Sequence, residues 1–232
     1  MLPTADAAWV GDELTRRFGL PFWQFSLTAT DANRFVIRWA RQITGRSKLV
    51  VHNWCYHGTV DETFATLGPD GTTVAREGNI GPPVALAETT RVVEINDLDG
   101  LEAAFAAGDV AACLFEPALT NIGIVLPEPG YHEAVRELCT RFGVLLIIDE
   151  THTISAGPGG CTRAWGLEPD IVTIGKTLGA GIASAAYGMS ADVAQRCTIG
   201  PTGATPMSAG SVARWPATPC RWPRCARPSA GS

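Results

Sequence analysis

The chain has 232 residues, 46% of them hydrophobic and 18% charged, and carries a formal net charge of -5 at pH 7. This composition supplies a core for one large globular domain, and the basic residues form no stripe, which argues against a nucleic-acid partner. No apolar run approaches the ~18 residues needed to span a bilayer, and no basic region leads into an apolar stretch at the N-terminus. We therefore expect a cytoplasmic protein without a membrane partner.

Apolar periodicity predicts alternating helices and strands along the first half of the chain. A short helix is expected within residues 1–19, and an amphipathic helix is expected from Thr30, capped by Thr30 or Asp31 and ended by Gly45. A strand follows over residues 48–52. The stretch 68–83, rich in Gly, Pro and Thr, indicates a surface loop or a hairpin.

The second half of the chain repeats the alternation. Strands are predicted at residues 91–95 and 110–115, with a short helix between them that Gly108 closes. A helix over residues 131–142 ends at Gly143, and a strand over 144–148 follows at once. Nearly continuous apolar strands separated by helices predict an α/β fold, with a mostly parallel sheet that binds ligands at the carboxyl ends of its strands.

The seven cysteines lie at positions 55, 113, 139, 161, 197, 220 and 225. Their spacing lacks the tight pairs of a zinc site, and the chain is long for a disulfide scaffold. We predict no metal site, and we interpret Cys113 and Cys139 as buried apolar residues.

Two polar residues stand out because each follows an apolar strand. Asp149 comes after four apolar residues, where a carboxylate is costly to bury without a charged partner, although it could also cap a helix. Lys176 lies between IVTIG and TLGAG, so its amine projects from a tight turn instead of a solvated helix face. The two side chains are expected to meet at one edge of the sheet.

Four motifs occur in a defined order: TATDAN at 28–33, CYHG at 55–58, LLIIDETHTISAGP at 145–158 and IVTIGKTLGAG at 171–181. In this order they resemble the class III (ω-type) aminotransferases, and most of all the glutamate-1-semialdehyde aminomutase-like branch. The resemblance covers about residues 20 to 196. It implies a transferase of fold type I that uses pyridoxal 5'-phosphate (PLP), of which this chain would hold the large domain.

The resemblance also implies roles for single residues. Lys176 would bond covalently to the PLP aldehyde and later act as a base, and Asp149 would pair with the ring nitrogen. Tyr56 would stack on the ring and Thr151 would pack on its face. His152 departs from the family pattern and receives no role.

Further cofactor contacts are implied at two other motifs. Ala29 and Thr30 open a helix whose free amides suit a phosphate, although the family usually has glycine at Ala29 and plain N-capping is the alternative. Glu116 and Asn121 follow another strand, where the family places an acidic residue near the cofactor hydroxyl; Glu116 could equally end the strand and cap a loop. We interpret His57, Gly58 and Glu150 as structural.

The implied reaction is amino-group transfer on an amino acid or amine, as a transaminase or an aminomutase, in a homodimer. Two alternatives stay open: another PLP reaction such as racemisation or decarboxylation, and a catalytically silent remnant. Family members usually extend further at both ends, so we expect an incomplete enzyme with an N-terminal helix at 1–19, a PLP-binding domain at 20–197 and an aberrant tail at 198–232.

The tail differs in composition from the rest of the chain. From Gly200 onward it lacks Asp, Glu, Lys, Leu, Ile, Phe and Tyr, which predicts disorder. Reading residues 210–231 two bases later, with permitted codons, can produce a peptide containing Gly-Gly-Thr, which in the family reaches the cofactor phosphate of the neighbouring subunit. We therefore hypothesise a frameshift, which the nucleotide sequence would test.

Overall fold

The computed structural model describes residues 4–82 and 84–198. Its helices are α1 Ala5–Phe18, α2 Ala29–Thr44, α3 Leu98–Ala106, α4 Tyr131–Phe142, α5 Gly160–Ala164 and α6 Ala191–Thr198. Its strands are β1 Phe22–Ser26, β2 Lys48–His52, β3 Ala65–Leu67, β4 Thr73–Ala75, β5 Thr90–Val93, β6 Val110–Phe115, β7 Leu145–Asp149, β8 Ile171–Ile174 and β9 Ala185–Met189.

Seven strands form one sheet in the order β1-β9-β8-β7-β6-β2-β5. The five strands from β8 to β5 pair in parallel, whereas β9 pairs antiparallel with both β8 and β1. This confirms the predicted mostly parallel α/β sheet. The parallel strands point their carboxyl ends to one edge, where a ligand site is expected.

Both faces of the sheet are covered. On one face Val50, Leu146 and Ile148 pack in a cluster with residues of α3 and α4, and on the other face Leu49 and Ile147 pack in a cluster with α2. Every residue of β6, β7 and β8 is buried, as near-continuous apolar strands require. Polar side chains on these strands can therefore meet solvent only at the strand ends.

Helix boundaries follow capping residues. Thr28 caps α2 by accepting a hydrogen bond from the Asp31 amide at 3.1 Å, so the predicted cap at Thr30 or Asp31 was wrong, because a hydroxyl two residues earlier takes that role. The C-terminal end is as predicted, at Gly45 with φ of 68°. Similarly, α3 begins at Leu98 because the Asp97 side chain caps it by accepting from the Gly100 amide at 2.9 Å.

The structure also bears on the predicted Gly-rich loop, the cysteines and the membrane. The Gly-rich stretch at 68–83 contributes to a hairpin, because β3 and β4 pair antiparallel. Cys113 and Cys139 are fully buried and free. No helix in the described ranges is long and apolar enough to cross a membrane. The predicted tail and the frameshift hypothesis concern residues 198–232, which lie outside the described side chains.

Candidate active site

A cleft of about 470 Å³ opens at the carboxyl edge of the sheet, next to the N-terminus of α2. Most predicted site residues line it: Ala29, Thr30, Tyr56, Glu116, Asp149, Thr151 and Lys176. Asn121 does not line the cleft and is exposed on the loop after β6. His57 and His152, which the sequence left without a functional role, also line it.

Lys176 follows β8 on a tight turn. Its φ of 45° lies in the left-handed region, so the backbone turns sharply directly after Gly175. A Cβ on Gly175 would lie 2.9 Å from the Cβ of Ala29 and 3.6 Å from Cγ2 of Thr151. Glycine at this position thus lets the lysine turn approach the start of α2 closely. The exposed Lys176 amine makes no ion pair within the described part of the chain.

Asp149 ends β7 and is 3% exposed. Its Oδ2 accepts hydrogen bonds from Asn33 Nδ2 at 2.8 Å and from His57 Nδ1 at 2.9 Å, and its Oδ1 accepts from the Thr151 amide at 2.9 Å. Burial raises the pKa of this carboxyl, but the bonds from His57 and Thr151 outweigh it and hold the pKa at about 2. Asp149 is therefore ionised across the physiological range.

His57 is the charged partner that a buried carboxylate needs. Burial alone would lower the pKa of His57, but its interactions with Cys55 and Asp149 raise that pKa well above the ordinary value. Its Nε2 is buried without a hydrogen-bond partner in the described residues. The interpretation of His57 as merely structural missed this contact; the signal was the cost of burying Asp149 alone, with a basic side chain available in CYHG.

Asn33 is a second residue that the sequence did not single out. Its fully buried amide donates to Asp149 and, at 3.1 Å, to the carbonyl of His57, and its Oδ1 accepts from Thr173 Oγ1 at 2.8 Å. Since Asn33 lies on α2 and Thr173 on β8, this amide ties three elements together at the floor of the cleft. It orients Asp149 without a charge of its own.

The N-terminus of α2 forms another wall of the cleft. The amides of Ala29 and Thr30 belong to the first turn, where a helix has no acceptor of its own and carries partial positive charge. Thr30 Oγ1 accepts from the Thr59 amide at 3.1 Å, and a Cβ on Gly58 would lie 2.1 Å from that oxygen. Gly58 is thus required for the CYHG turn to reach the helix, and the wall suits an anion.

Glu116 lines the cleft with almost all of its surface buried. Its Oε1 accepts from the Tyr56 amide at 3.1 Å, and its Oε2 accepts from Thr120 Oγ1 at 2.6 Å. Thr120 Oγ1 also contacts His152 Nδ1. Glu116 therefore holds the backbone of the Tyr56 turn and, through Thr120, the imidazole of His152.

Glu150 faces away from the cleft. Its carboxylate accepts from the Cys161 amide at 3.2 Å and from the Thr162 amide at the start of α5, and from Thr153 Oγ1 at 2.5 Å. This is the structural contact predicted for it. Among the described residues, no group of three or more His, Cys, Asp or Glu side chains could hold a metal ion.

The cleft combines an unpaired amine, an ionised buried carboxylate and a helix N-terminus. PLP carries an aldehyde, a basic ring nitrogen and a phosphate, so each part of that cofactor has a matching group here. The buried Thr151 Oγ1, which has no hydrogen-bond partner in the described residues, adds an unsatisfied polar atom to the lining of the cleft. The fold is that of the fold-type-I PLP-dependent transferases, and the groups that line the cleft fit this cofactor.

Comparison with known proteins identifies the family of this chain. A family model described as aminotransferase class-III matches residues 5–213, and the chain belongs to that family. The glutamate-1-semialdehyde 2,1-aminomutase of Sorangium cellulosum (strain So ce56) is 41% identical over 169 residues, which cover 72% of this chain and 39% of that relative. The chain thus spans well under half of the curated relatives that it matches.

Solved structures are similar in fold. A glutamate-1-semialdehyde-aminomutase from Pseudomonas aeruginosa PAO1 has a TM-score of 0.82 and 56% identity, over 84% of this chain and 43% of that one. A variant of that protein was solved in complex with PMP. An omega-transaminase from Sphaerobacter thermophilus has a TM-score of 0.80 and 30% identity, over 90% of this chain and 50% of that one.

Proposed function

We propose that this chain binds PLP and carries the cofactor half of an enzyme that transfers amino groups on a small amino acid or amine, as a transaminase or an aminomutase. One observation carries the proposal: Lys176 and Asp149 line one cleft from adjacent strand ends, and Asp149 is kept ionised. The relatives named as aminomutases and transaminases support both forms of the reaction.

Each cleft residue has a defined task in this proposal. When bound, PLP supplies an electron-withdrawing ring that stabilises negative charge on the carbon that loses a proton. Asp149 would place its carboxylate against the ring nitrogen, and the amides of Ala29 and Thr30 would bind the phosphate. Lys176 would hold the aldehyde, and its amine would supply the base that carries a proton.

The remaining assigned residues would contact the two faces and the hydroxyl side of the PLP ring. Tyr56 and Thr151 provide the two packing surfaces, and Glu116 stays on the hydroxyl side through its hold on the Tyr56 turn. Asn121 belongs to the same assignment, although its exposed position on the loop weighs against a direct contact. We assign cofactor binding to residues 20–197 and the short N-terminal helix to residues 1–19.

Covalent trapping of PLP tests the proposal. The chain contains two lysines, Lys48 and Lys176, and Lys48 lies at the other end of the sheet, 3.7 Å from Asp109. We expect purified protein with added PLP to show a new absorbance band, and borohydride to attach the cofactor to Lys176 in a peptide mass map. Lys176→Ala should abolish the attachment and Lys48→Arg should retain it.

The same samples separate the alternatives. Folded protein that traps no cofactor, or traps it equally in Lys176→Ala, would refute the proposal. Trapping followed by amino transfer to an added keto acid supports the transferase. Trapping with racemised or decarboxylated product, or with no product, would assign the chain to another PLP reaction or to a silent remnant.

A homodimer and a cytoplasmic location form part of the proposal. Exposed apolar side chains support the dimer: Ile122, Ile124 and Leu126 are 50%, 78% and 60% exposed on the loop after β6, and Ile182 at the cleft is 76% exposed. We expect sedimentation to show a dimer that Ile124→Asp weakens. A monomeric wild-type chain would contradict it, and fractionation of the source cell tests the location.

A further inference from the structure

His152 is a titratable residue of the cleft that the proposed amino transfer does not use. It follows Thr151 after the end of β7, lines the cleft, and its side chain is 28% exposed. One ring nitrogen, Nδ1, contacts Thr120 Oγ1. The other nitrogen, Nε2, makes no hydrogen bond within the described ranges of the chain and is not enclosed by protein.

The direction of the hydrogen bonds around Thr120 determines which His152 nitrogen carries the proton. Thr120 has one hydroxyl proton, and Oγ1 lies 2.6 Å from Oε2 of Glu116. The carboxylate oxygen of Glu116 is the acceptor of this bond, so the single hydroxyl proton of Thr120 points to Glu116. The Thr120 oxygen can then only accept from His152, which must donate through Nδ1–H. Neutral His152 thus keeps an unprotonated Nε2.

We propose that His152 is a further catalytic residue, which takes a proton from the ammonium group of the incoming amino substrate at Nε2, with Thr120 and Glu116 as positioning residues. This rests on the proposed amino transfer. An N–H bond of the ammonium breaks and an Nε2–H bond forms, leaving a neutral amine and an imidazolium. The neutral amine has the lone pair that attack on an electrophilic carbon requires.

The surroundings of His152 suit this proton transfer. Glu116 Oε2 lies 3.8 Å from His152 Nδ1, so a buried carboxylate faces the positive charge that forms. Because Nδ1–H already points to Thr120, proton uptake at Nε2 leaves the network unchanged. A carboxylate that orients a histidine in one tautomer is the arrangement that general-base catalysis uses. The other titratable groups lining the cleft are Tyr56, His57, Glu116, Asp149 and Lys176.

The tautomer can be measured without any turnover. The chain has four histidines, so ¹⁵N-detected imidazole spectra of wild type and His152→Gln assign the His152 signals. We expect neutral His152 to carry its proton on Nδ1. Thr120→Val should release this tautomer preference, and Thr120→Ser, which keeps the hydroxyl, should preserve it. A neutral His152 with its proton on Nε2 in the wild type would overturn the proposal.

The pH dependence of amine attack tests the proton transfer itself. Stopped-flow absorbance follows the reaction of PLP-loaded protein with 2-phenylethylamine, whose ammonium titrates at about 10, near a lysine side chain. We expect His152→Gln to slow the reaction by about 10²-fold at pH 7. That deficit should disappear towards pH 10, where the amine arrives deprotonated.

The outcomes for the two proposals are distinguishable. A deficit in His152→Gln that stays constant with pH indicates a packing role and refutes proton transfer, while borohydride trapping on Lys176 in the same variant leaves the proposed function intact. No deficit at pH 7 also refutes it. If neither wild type nor His152→Gln traps PLP on Lys176, the proposed function fails and the proton transfer fails with it.

Discussion

Replacement of Asn33 by alanine is the sharpest test of how the cleft is held together. The side chain makes one hydrogen bond to the ionised Asp149, one to the carbonyl of His57 and one to the hydroxyl of Thr173, and it is fully buried. A bond to a charged group contributes about 1.5 to 3 kcal/mol and a neutral one about 0.5 to 1.5 kcal/mol. We therefore expect Asn33→Ala to lower the free energy of unfolding by about 3 to 5 kcal/mol.

Two comparison variants test whether the loss of unfolding free energy is specific to the Asn33 amide. Thr173→Val removes one neutral bond of the same amide and should cost about 1 to 2 kcal/mol. Asn79→Ala is a matched control, because the Asn79 amide is 3.4 Å from its acceptor, the carbonyl of Phe64, and the change should stay within about 0.5 kcal/mol. Urea unfolding of the four proteins at pH 7 provides the free energies.

A small effect of Asn33→Ala would refute the proposed support of Asp149. If Asn33→Ala unfolds within about 1 kcal/mol of Asn79→Ala, the buried amide does not support Asp149 and the described network is wrong. If the predicted loss occurs, PLP trapping should weaken as well, because Asp149 loses one of its two donors at Oδ2.

Three further changes test neighbouring parts of the structure. Since the pKa of Asp149 lies near 2, its ionised carboxylate stabilises the folded protein by about 2 kcal/mol above pH 4, and this contribution is lost as pH falls to about 2. Urea unfolding at a series of pH values should show this loss in wild type and not in Asp149→Asn. Gly175→Ala crowds Ala29 and should cost about 1 to 3 kcal/mol and reduce PLP trapping, whereas Gly11→Ala, with nothing within 4 Å, should not destabilise. Glu150→Gln removes the carboxylate that accepts from the amides at the start of α5, and urea unfolding should show a free energy of unfolding lower by about 1 to 2 kcal/mol.

The parallel part of the sheet was predictable because its signals are local. Strands buried on both faces need unbroken apolar runs, which β6 and β7 have, and glycines with positive φ mark the helix ends at Gly45 and Gly143. The positions of Asp149 and Lys176 at this edge were predictable from similar signals, since Asp149 directly follows such a run and Lys176 follows the short strand IVTI and Gly175. The order of the motifs then indicated the family.

The strands β1 and β9 carry no comparable signal. In β9, Ala-Ala-Tyr-Gly-Met contains small residues with little preference for strands, and β1 is only partly buried. Their pairing depends on a long-range fit: the ring of Trp23 packs directly over Gly188, where a Cβ would lie 2.6 Å from it. A fit between residues so far apart in the chain cannot be recognised from either segment alone.

The contacts of Asn33 and His57 with Asp149 were missed for a related reason. They join residues 116 and 92 positions apart, and neither TATDAN nor CYHG indicates which way its polar side chain points. Burial of Asp149 required some partner, but only the packing of α2 against β8 and the turn after β2 decides which groups reach it. Sequence therefore predicts which polar residues line this cleft at the strand ends better than it predicts the groups that orient them.

The adjacent carboxylates Asp149 and Glu150 show how the fold separates two like charges. At the end of β7 successive side chains point to opposite faces of the sheet, so Asp149 turns to α2 and the cleft while Glu150 turns under α5. Each is then neutralised by different means: Asp149 by the charge of His57, and Glu150 by the amides of a helix N-terminus. Because His57 balances Asp149 inside the protein, the cleft holds an ionised carboxylate that needs no cation from solvent.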